Sequence, residues 1–118
     1  MRRNHQEEPR RGERVVNLKI EKIKALVSDE IDAHHHHLGA LSLKIHANPE
    51  PGFQEVKAVD WLTRYLEEND FSIERGICEL PTAFRASYGE GKPIIAILAE
   101  YDALPDIGHA CGHNLIAA

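Results

Sequence analysis

Apolar residues recur along the first part of the chain with the spacing of a helix face. They follow one another at intervals of three, four or seven positions: Val16, Ile20, Ile23, Val27, Ile31, Leu38, Leu41 and Ile45. Because an α-helix has 3.6 residues per turn, residues at these intervals share one side of it. The pattern predicts one long helix, or two helices end to end with a break near residues 34–39. Two prolines and a glycine in residues 48–52 end the helical pattern.

A second helix is predicted over about residues 54–68, where Val56, Val59, Leu62 and Leu66 form an apolar side. Strand-like alternation follows in residues 71–77 and, more regularly, in residues 82–88. Residues 93–99, Pro-Ile-Ile-Ala-Ile-Leu-Ala, are almost wholly apolar, as is typical of a strand buried on both faces. The intervening Gly-Glu-Gly-Lys, residues 89–92, predicts a hairpin turn.

Helices followed by strands predict an α/β domain. Its last strand is expected inside the sheet, and residues 100–113 are expected to form a loop at the carboxyl end of that strand. Open α/β sheets bind their ligands in this position. The predicted loop is therefore a candidate site.

Composition narrows the class of protein. A chain of 118 residues with 42% hydrophobic and 28% charged residues suits one small globular domain. The net charge of −5 argues against a nucleic-acid partner, which needs a basic surface. Residues 1–14 combine arginines with glutamates and are predicted to be a disordered polar tail, leaving residues 15–118 as the folded part.

Membrane insertion and secretion are not expected from the sequence. No apolar run reaches the length of about 20 residues that a membrane span needs, and the N-terminus has no apolar signal region. The expected location is the cytoplasm. The two cysteines, Cys78 and Cys111, do not make a disulfide framework.

Potential metal ligands and proton-transfer groups are concentrated in the predicted loop, which carries Glu100, Asp102, Asp106, His109, Cys111 and His113. In an extended segment, Cys111 and His113 would project to the same side, where a thiolate and an imidazole suit zinc and related transition metals. Glu100 and Asp102 could add ligands or accept hydrogen bonds from ligating histidines. Burying so many charges would be costly without pairing or a metal.

Other histidines and cysteines have simpler interpretations. Consecutive helical residues point in different directions, so the run His34 to His37 is read as solvated helix surface. His46 suits the C-terminal end of a helix, where a positive charge is favoured, although a role beside a substrate remains an alternative. Cys78 is interpreted as a small apolar filler.

Three stretches resemble the metal-dependent aminoacylase/carboxypeptidase superfamily, the twentieth metallopeptidase family. They are residues 45–50 with 53–55, residues 80–86, and residues 99–117, which together span about residues 40–118. The last stretch contains Glu-Tyr-Asp-Ala-Leu-Pro and His-Ala-Cys-Gly-His-Asn. Within the superfamily, the chain is most similar to the amidohydrolase branch, and nearest to a dipeptidase-like sub-branch.

The resemblance implies specific roles. Cys111 and His113 match two ligands of a two-metal site that holds a divalent metal, zinc in the first place and manganese or cobalt as alternatives. Asp102 matches the catalytic acidic residue that orients a ligand, and Glu100 and His109 are candidates for supporting the ligands. Many relatives carry aspartate where this chain has Glu100 and Asn114, which favours the dipeptidase-like sub-branch.

The implied reaction is amide hydrolysis by metal-activated water with a glutamate as general base. That glutamate and the remaining ligands are expected beyond residue 118, as are the rest of the sheet and a lid domain through which full-length relatives form homodimers. The expected substrate is a small amide or dipeptide. On this hypothesis the chain is an N-terminal fragment of a hydrolase, inactive alone, and either a sequence fragment or a truncated gene product. The alternative is a small non-catalytic metal-binding or interaction module.

Overall fold

The computed structural model describes the backbone of residues 11–118 and the side chains from residue 19 onward. Its elements are α1 (Arg11–His46), α2 (Val56–Glu68), β1 (Ser72–Arg75), a 3₁₀ turn (Ile77–Glu79), β2 (Phe84–Ser87) and α3 (His113–Ala117). The predicted α/β class is confirmed. The chain divides into two compact units, residues 1–35 and residues 36–118. Most of the predicted tail, residues 1–14, lies outside the described residues, and α1 begins at Arg11.

The first helix is continuous. α1 has 36 residues without a break, which selects the long helix among the two predicted alternatives. Gly39 does not interrupt it, because a single glycine costs a helix only about 1 kcal/mol relative to alanine. The helix ends as predicted ahead of Pro49, and the Asn48 side chain donates a hydrogen bond to the Lys44 carbonyl at 2.9 Å.

The second helix packs its predicted apolar side with one exception. Val59 and Leu62 are buried and Leu66 is half-buried, but Val56 is 67% exposed. At 100° per residue, Val56 lies about a quarter turn from the middle of the face formed by Ala58, Val59 and Leu62. The core consists of Ile45, Ala58 and Leu62, and partly buried side chains pack against it: Leu41, Trp61, Phe84, Tyr101 and Ala117.

Both alternating segments form strands, and they pair with each other. β1 runs antiparallel to β2, with Ser72 opposite Ser87 and Arg75 opposite Phe84. The Arg75 guanidinium reaches back to α2 and donates to the buried Thr63 hydroxyl at 2.7 Å. The two-stranded sheet is thereby attached to the second helix.

The prediction of a buried strand at residues 93–99 is wrong. This segment forms no strand, and Ile94, Ile95, Ile97 and Leu98 are 84, 83, 90 and 92% exposed. The turn at residues 89–92 consequently does not join two paired strands. A central strand needs neighbours on both edges and cover on both faces. Residues 11–118 supply only two short strands, and these are paired to each other.

Glu50 takes the place of an N-terminal cap for α2. One carboxylate oxygen accepts the N–H groups of Lys57 at 2.9 Å and Ala58 at 3.0 Å. These are among the first amides of the helix, which have no partner within the helix itself. The residue before the helix, Glu55, makes no side-chain cap.

We therefore expect Glu50→Ala to destabilise the folded chain by about 1–2 kcal/mol, the usual cost of losing a helix cap and leaving amides unpaired. Glu50→Gln, which keeps one carbonyl acceptor, should lose less. Urea unfolding monitored by circular dichroism measures both, with exposed Glu90→Ala as the matched control. Equal stability of Glu50→Ala and the control would contradict this role.

Candidate metal centre

The candidate loop is fastened to the segment between α1 and α2. The N–H of Ala103 donates to the Glu50 carbonyl at 2.8 Å, and Pro51 and Ala103 form an isolated parallel bridge. A second bridge, between Leu104 and Gly108, closes a tight turn within the loop. The loop is therefore held in place even though the strand predicted before it does not form.

The Cys-Gly-His segment is a turn, which corrects the predicted extended conformation. Gly112 has φ of +80°, a left-handed conformation that glycine adopts without steric cost, and it precedes the first residue of α3, His113. The N–H of Leu115 donates to the Gly112 carbonyl at 2.9 Å, within the first turn of that helix. Cys111 and His113 therefore do not share a side by strand alternation.

The two side chains nevertheless approach one common point, the main-chain carbonyl of Asp102. The His113 Nδ1 lies 3.2 Å from this oxygen, and the exposed Cys111 Sγ donates to it at 3.9 Å. The structure thus brings the thiol and the imidazole to the same residue, by a route that strand geometry does not predict.

His113 lies between two carboxylates. Its Nδ1 is 2.7 Å from Asp102 Oδ1, and its Nε2 is 3.0 Å from Glu100 Oε2. The hydrogen bond to the Asp102 side chain is the largest of the effects that raise the pKa of His113, with smaller contributions from both negative charges. Glu100 and Asp102 therefore both lie where the sequence predicts them, on the imidazole of the candidate ligand.

His109 is placed differently from the prediction that it supports the ligands. It is buried, and neither ring nitrogen has a hydrogen-bond partner among the described residues. Burial is the main cause that lowers its pKa, followed by the neighbouring His46, whose ring centroid is 6.2 Å away. His109 does not hydrogen-bond to Cys111 or His113 in this structure.

Glu55 belongs to the site but was given no role from the sequence. It is buried, its Oε2 has no partner among the described residues, and its charge contributes, after burial, to raising the pKa of Tyr101 to about 12. A side chain added at Gly52 would begin 4.0 Å from Glu55 Oε1 and 3.9 Å from Asp102 Oδ2. Glu55 is therefore a third carboxylate beside this site. Its place within the resembling stretch at residues 53–55 was the available signal.

Asn114 has a structural role that explains its amide. Its side chain is buried and donates to the Ser42 hydroxyl at 3.0 Å and to the Ser42 carbonyl at 3.3 Å. An ionised aspartate, which can only accept hydrogen bonds, could not make the contact with the carbonyl. This position therefore reports the packing of α3 against α1.

The remaining histidines lie on α1. His35, His36 and His37 are exposed and His34 is half-buried, as expected of helix surface, and His34 Nε2 lies 3.2 Å from Glu30 Oε1. His46 lies in the last turn of the helix, as predicted. Cys78 is exposed and therefore does not fill a gap in the core, contrary to the interpretation from the sequence.

The chemistry of the donors fits a transition metal, although the cage is incomplete within the described residues. A thiol, an imidazole and carboxylates are the ligands that zinc and related ions take. His113 has the arrangement usual for a ligating histidine, with one ring nitrogen held by a carboxylate. No three of the histidine, cysteine and acidic side chains in the part of the chain that the structure describes are arranged around one ion. The residues thus fit as part of a site.

Known hydrolases match most of the chain. It is 33% identical over 114 residues to a p-aminobenzoyl-glutamate hydrolase polypeptide of Escherichia coli, covering 82% of the chain and 24% of that protein. It is 40% identical over 108 residues to a mouse Xaa-Arg dipeptidase, covering 83% and 25%. It is 33% identical over 102 residues to N-acetylcysteine deacetylase of Bacillus subtilis, covering 73% and 27%.

The chain belongs to the metal-dependent aminoacylase/carboxypeptidase superfamily. No protein-family profile matches it. It spans about a quarter of the length of the curated relatives it matches. These three relatives are hydrolases whose names specify amide substrates, namely an aminobenzoyl amide, a dipeptide and an N-acetyl amino acid. Within residues 11–118, no helix combines the length and apolar character that crossing a membrane requires.

The pairing of Asp102 with His113 has a consequence for stability at different pH. Because folding raises the pKa of His113, the protonated imidazole stabilises the folded chain. This stabilisation is complete below the unfolded pKa of about 6.5 and is lost as the pH rises through the folded value. In metal-free buffer, Asp102→Asn should therefore destabilise the chain more at pH 5.5 than at pH 8.5. NMR titration should find a lower His113 pKa in the variant.

The matched control is Asp106→Asn, an exposed aspartate in the same loop. It should leave the His113 pKa where it is in the unmodified chain. An unchanged His113 pKa in Asp102→Asn would show that the 2.7 Å contact does not exist in solution.

Proposed function

We propose that this chain is the N-terminal part of the catalytic domain of a metal-dependent hydrolase that cleaves the amide bond of N-acyl amino acids or dipeptides. The observation that carries the proposal is the contact of Asp102 with His113 Nδ1 at 2.7 Å. The amide-hydrolysing relatives support the substrate class. An isolated surface histidine would not need this carboxylate, whereas a ligating histidine is normally oriented by one.

In this proposal Cys111 and His113 hold a divalent metal, with zinc as the first candidate. When bound, the metal would supply a Lewis acid that lowers the pKa of a water molecule and polarises a carbonyl. Asp102 holds Nδ1 of His113, so that Nε2 is the nitrogen left for the metal. Glu100, which is 3.0 Å from Nε2, places a negative charge beside that position.

The buried groups behind the loop exclude water and fix its position. Ala103 is buried and bonded through its N–H to the Glu50 carbonyl, which holds the adjacent Asp102 in place. The Tyr101 hydroxyl donates to the Thr82 carbonyl, and its ring stacks on Phe84 with centroids 5.8 Å apart. The residues flanking Asp102 therefore restrict the loop on both sides.

The test is the activity of the protein encoded by the complete reading frame that contains these residues. It is assayed on p-aminobenzoyl-glutamate, on an Xaa-Arg dipeptide and on an N-acetylated amino acid. We expect hydrolysis of at least one, loss of activity on chelation, and recovery with added zinc. Cys111→Ser should lower the rate at least about a thousandfold, since residues acting as a unit fail together.

Two matched controls come from the same chain. Cys78→Ser changes the other exposed cysteine and His37→Ala changes an exposed histidine on α1, and neither should alter the rate. Activity that survives chelation, or a Cys111→Ser variant as active as Cys78→Ser, would refute the metal-centre assignment. A reading frame that stops at Ala118, with a protein that hydrolyses none of the three substrates, would favour the non-catalytic module.

A further inference from the structure

The first part of α1 carries an apolar stripe exposed to solvent. Ile20, Ile23, Val27 and Ile31 are 44, 60, 53 and 58% exposed. Their spacing of three and four residues places them along one side of the helix. An amphipathic helix of this kind is normally stabilised by packing its apolar side against another element, and contiguous exposed apolar patches usually mark interaction sites.

The stripe is self-complementary when the helix is reversed. Turning α1 about residue 25 puts Ile31 in the place of Ile20, and Val27 in the place of Ile23. An antiparallel copy of the helix would therefore set these residues against one another in symmetric pairs. This is an isologous contact, in which the same patch serves both copies.

The charges beside the stripe favour the antiparallel orientation. Lys19 and Glu30 are eleven residues apart, close to three turns, so they lie on the same flank of the stripe. Antiparallel pairing brings Lys19 of each copy to Glu30 of the other. Parallel pairing in register would instead bring Lys19 near Lys24 of the second copy, which places like charges together.

Contacts within one copy are compatible with this arrangement. Lys24 Nζ lies 2.9 Å from Glu21 Oε1 in its own helix, so its charge is already compensated. Glu30 Oε1 lies 3.2 Å from His34 Nε2, and a carboxylate can accept further hydrogen bonds from Lys19 of a second copy. Neither contact needs to break when the two helices pair.

We propose that residues 20–31 of α1 form a self-association surface whose occupant is the same segment of a second copy, in antiparallel orientation. The surface lies apart from the candidate metal centre in the chain and does not depend on the proposed hydrolase activity. The segment extends over about 17 Å of helix, which is short for a protein interface. The dimer is therefore weak and reversible, with a dissociation constant of about 10–100 µM.

Sedimentation equilibrium of the 118-residue chain from about 5 to 500 µM tests the proposal. We expect a monomer–dimer equilibrium that the double substitution Ile23→Lys/Val27→Lys shifts to monomer over the whole range. Ala25→Lys adds a charge on the opposite side of the same helix and should leave dimerisation unchanged. Circular dichroism verifies that both variants keep their helix. A monomer at the highest concentration, or association that survives the double substitution, would overturn the proposal.

Charge reversal tests the orientation without disturbing the apolar stripe. At low salt, Lys19→Glu and Glu30→Lys should each weaken the dimer about three- to tenfold, and the two together should restore it, since exposed ion pairs contribute modestly. Failure of the double variant to recover affinity would contradict the antiparallel register. A merely structural role for either residue would not produce such recovery.

Disulfide crosslinking provides the second measurement of orientation, in a background where Cys78 and Cys111 are replaced by serine. An Ile20→Cys chain mixed with an Ile31→Cys chain should form a mixed disulfide dimer, and each chain alone should crosslink much less. Preferred crosslinking of the Ile20→Cys chain with itself would indicate parallel pairing and overturn the proposal.

Discussion

The 118-residue chain by itself is expected to hydrolyse none of the amide substrates of its relatives at a measurable rate. The described residues do not arrange three ligands around one ion, and the resemblance implies that the general base and further ligands lie beyond residue 118. Removing catalytic groups that act as a unit costs about a millionfold in rate. Purified chain saturated with zinc, manganese or cobalt should therefore leave p-aminobenzoyl-glutamate and dipeptides intact.

A full-length relative such as p-aminobenzoyl-glutamate hydrolase, assayed under the same conditions, is the positive control for this experiment. Trace activity from a host hydrolase is recognised by repeating the assay with Cys111→Ser, which would retain a contaminating rate. Steady turnover by the unmodified chain that disappears in Cys111→Ser would mean that residues 1–118 contain a working active site.

Zinc binding is the second large effect. We expect the chain to bind zinc weakly, with a dissociation constant above about 1 µM, because two protein ligands leave the remaining positions of a four-coordinate ion to water. Cys111→Ser and His113→Ala should each abolish binding in calorimetric titration. Affinity should rise with pH, since the thiolate and the neutral imidazole are the forms that bind.

Cys78→Ser and His37→Ala are the matched controls for the zinc titration and should bind as the unmodified chain does. Sub-micromolar binding by the unmodified chain would mean that Glu100, Asp102 or His109 completes the site locally. Binding that is identical in Cys111→Ser and His113→Ala would exclude both residues as ligands.

The helices and the two paired strands could be predicted because local patterns determine them. The spacing from Val16 to Ile45 is helical throughout, and the residues of β1 and β2 alternate within an otherwise polar region. The contact of Asp102 with His113 was also within reach, because it follows from the resemblance and from the need of an imidazole ligand for an acceptor.

The rest depends on contacts that the local sequence does not specify. The run at residues 93–99 has the composition of a central strand, but a strand also requires neighbouring strands. The turn at Gly112 overrides the side-by-side placement expected of Cys111 and His113. Burial of Glu55 and His109 results from packing between segments distant in sequence, which no periodicity reveals.

Glu50 has a dynamic consequence, because one residue serves two parts of the molecule. Its side chain holds the amides of Lys57 and Ala58, and its main-chain oxygen holds the amide of Ala103. Displacement of Glu50 would release all three protons to solvent at once. Fraying of the first turn of α2 and opening of the loop that carries Asp102 are therefore one cooperative event with one opening free energy, observable as matched hydrogen-exchange rates.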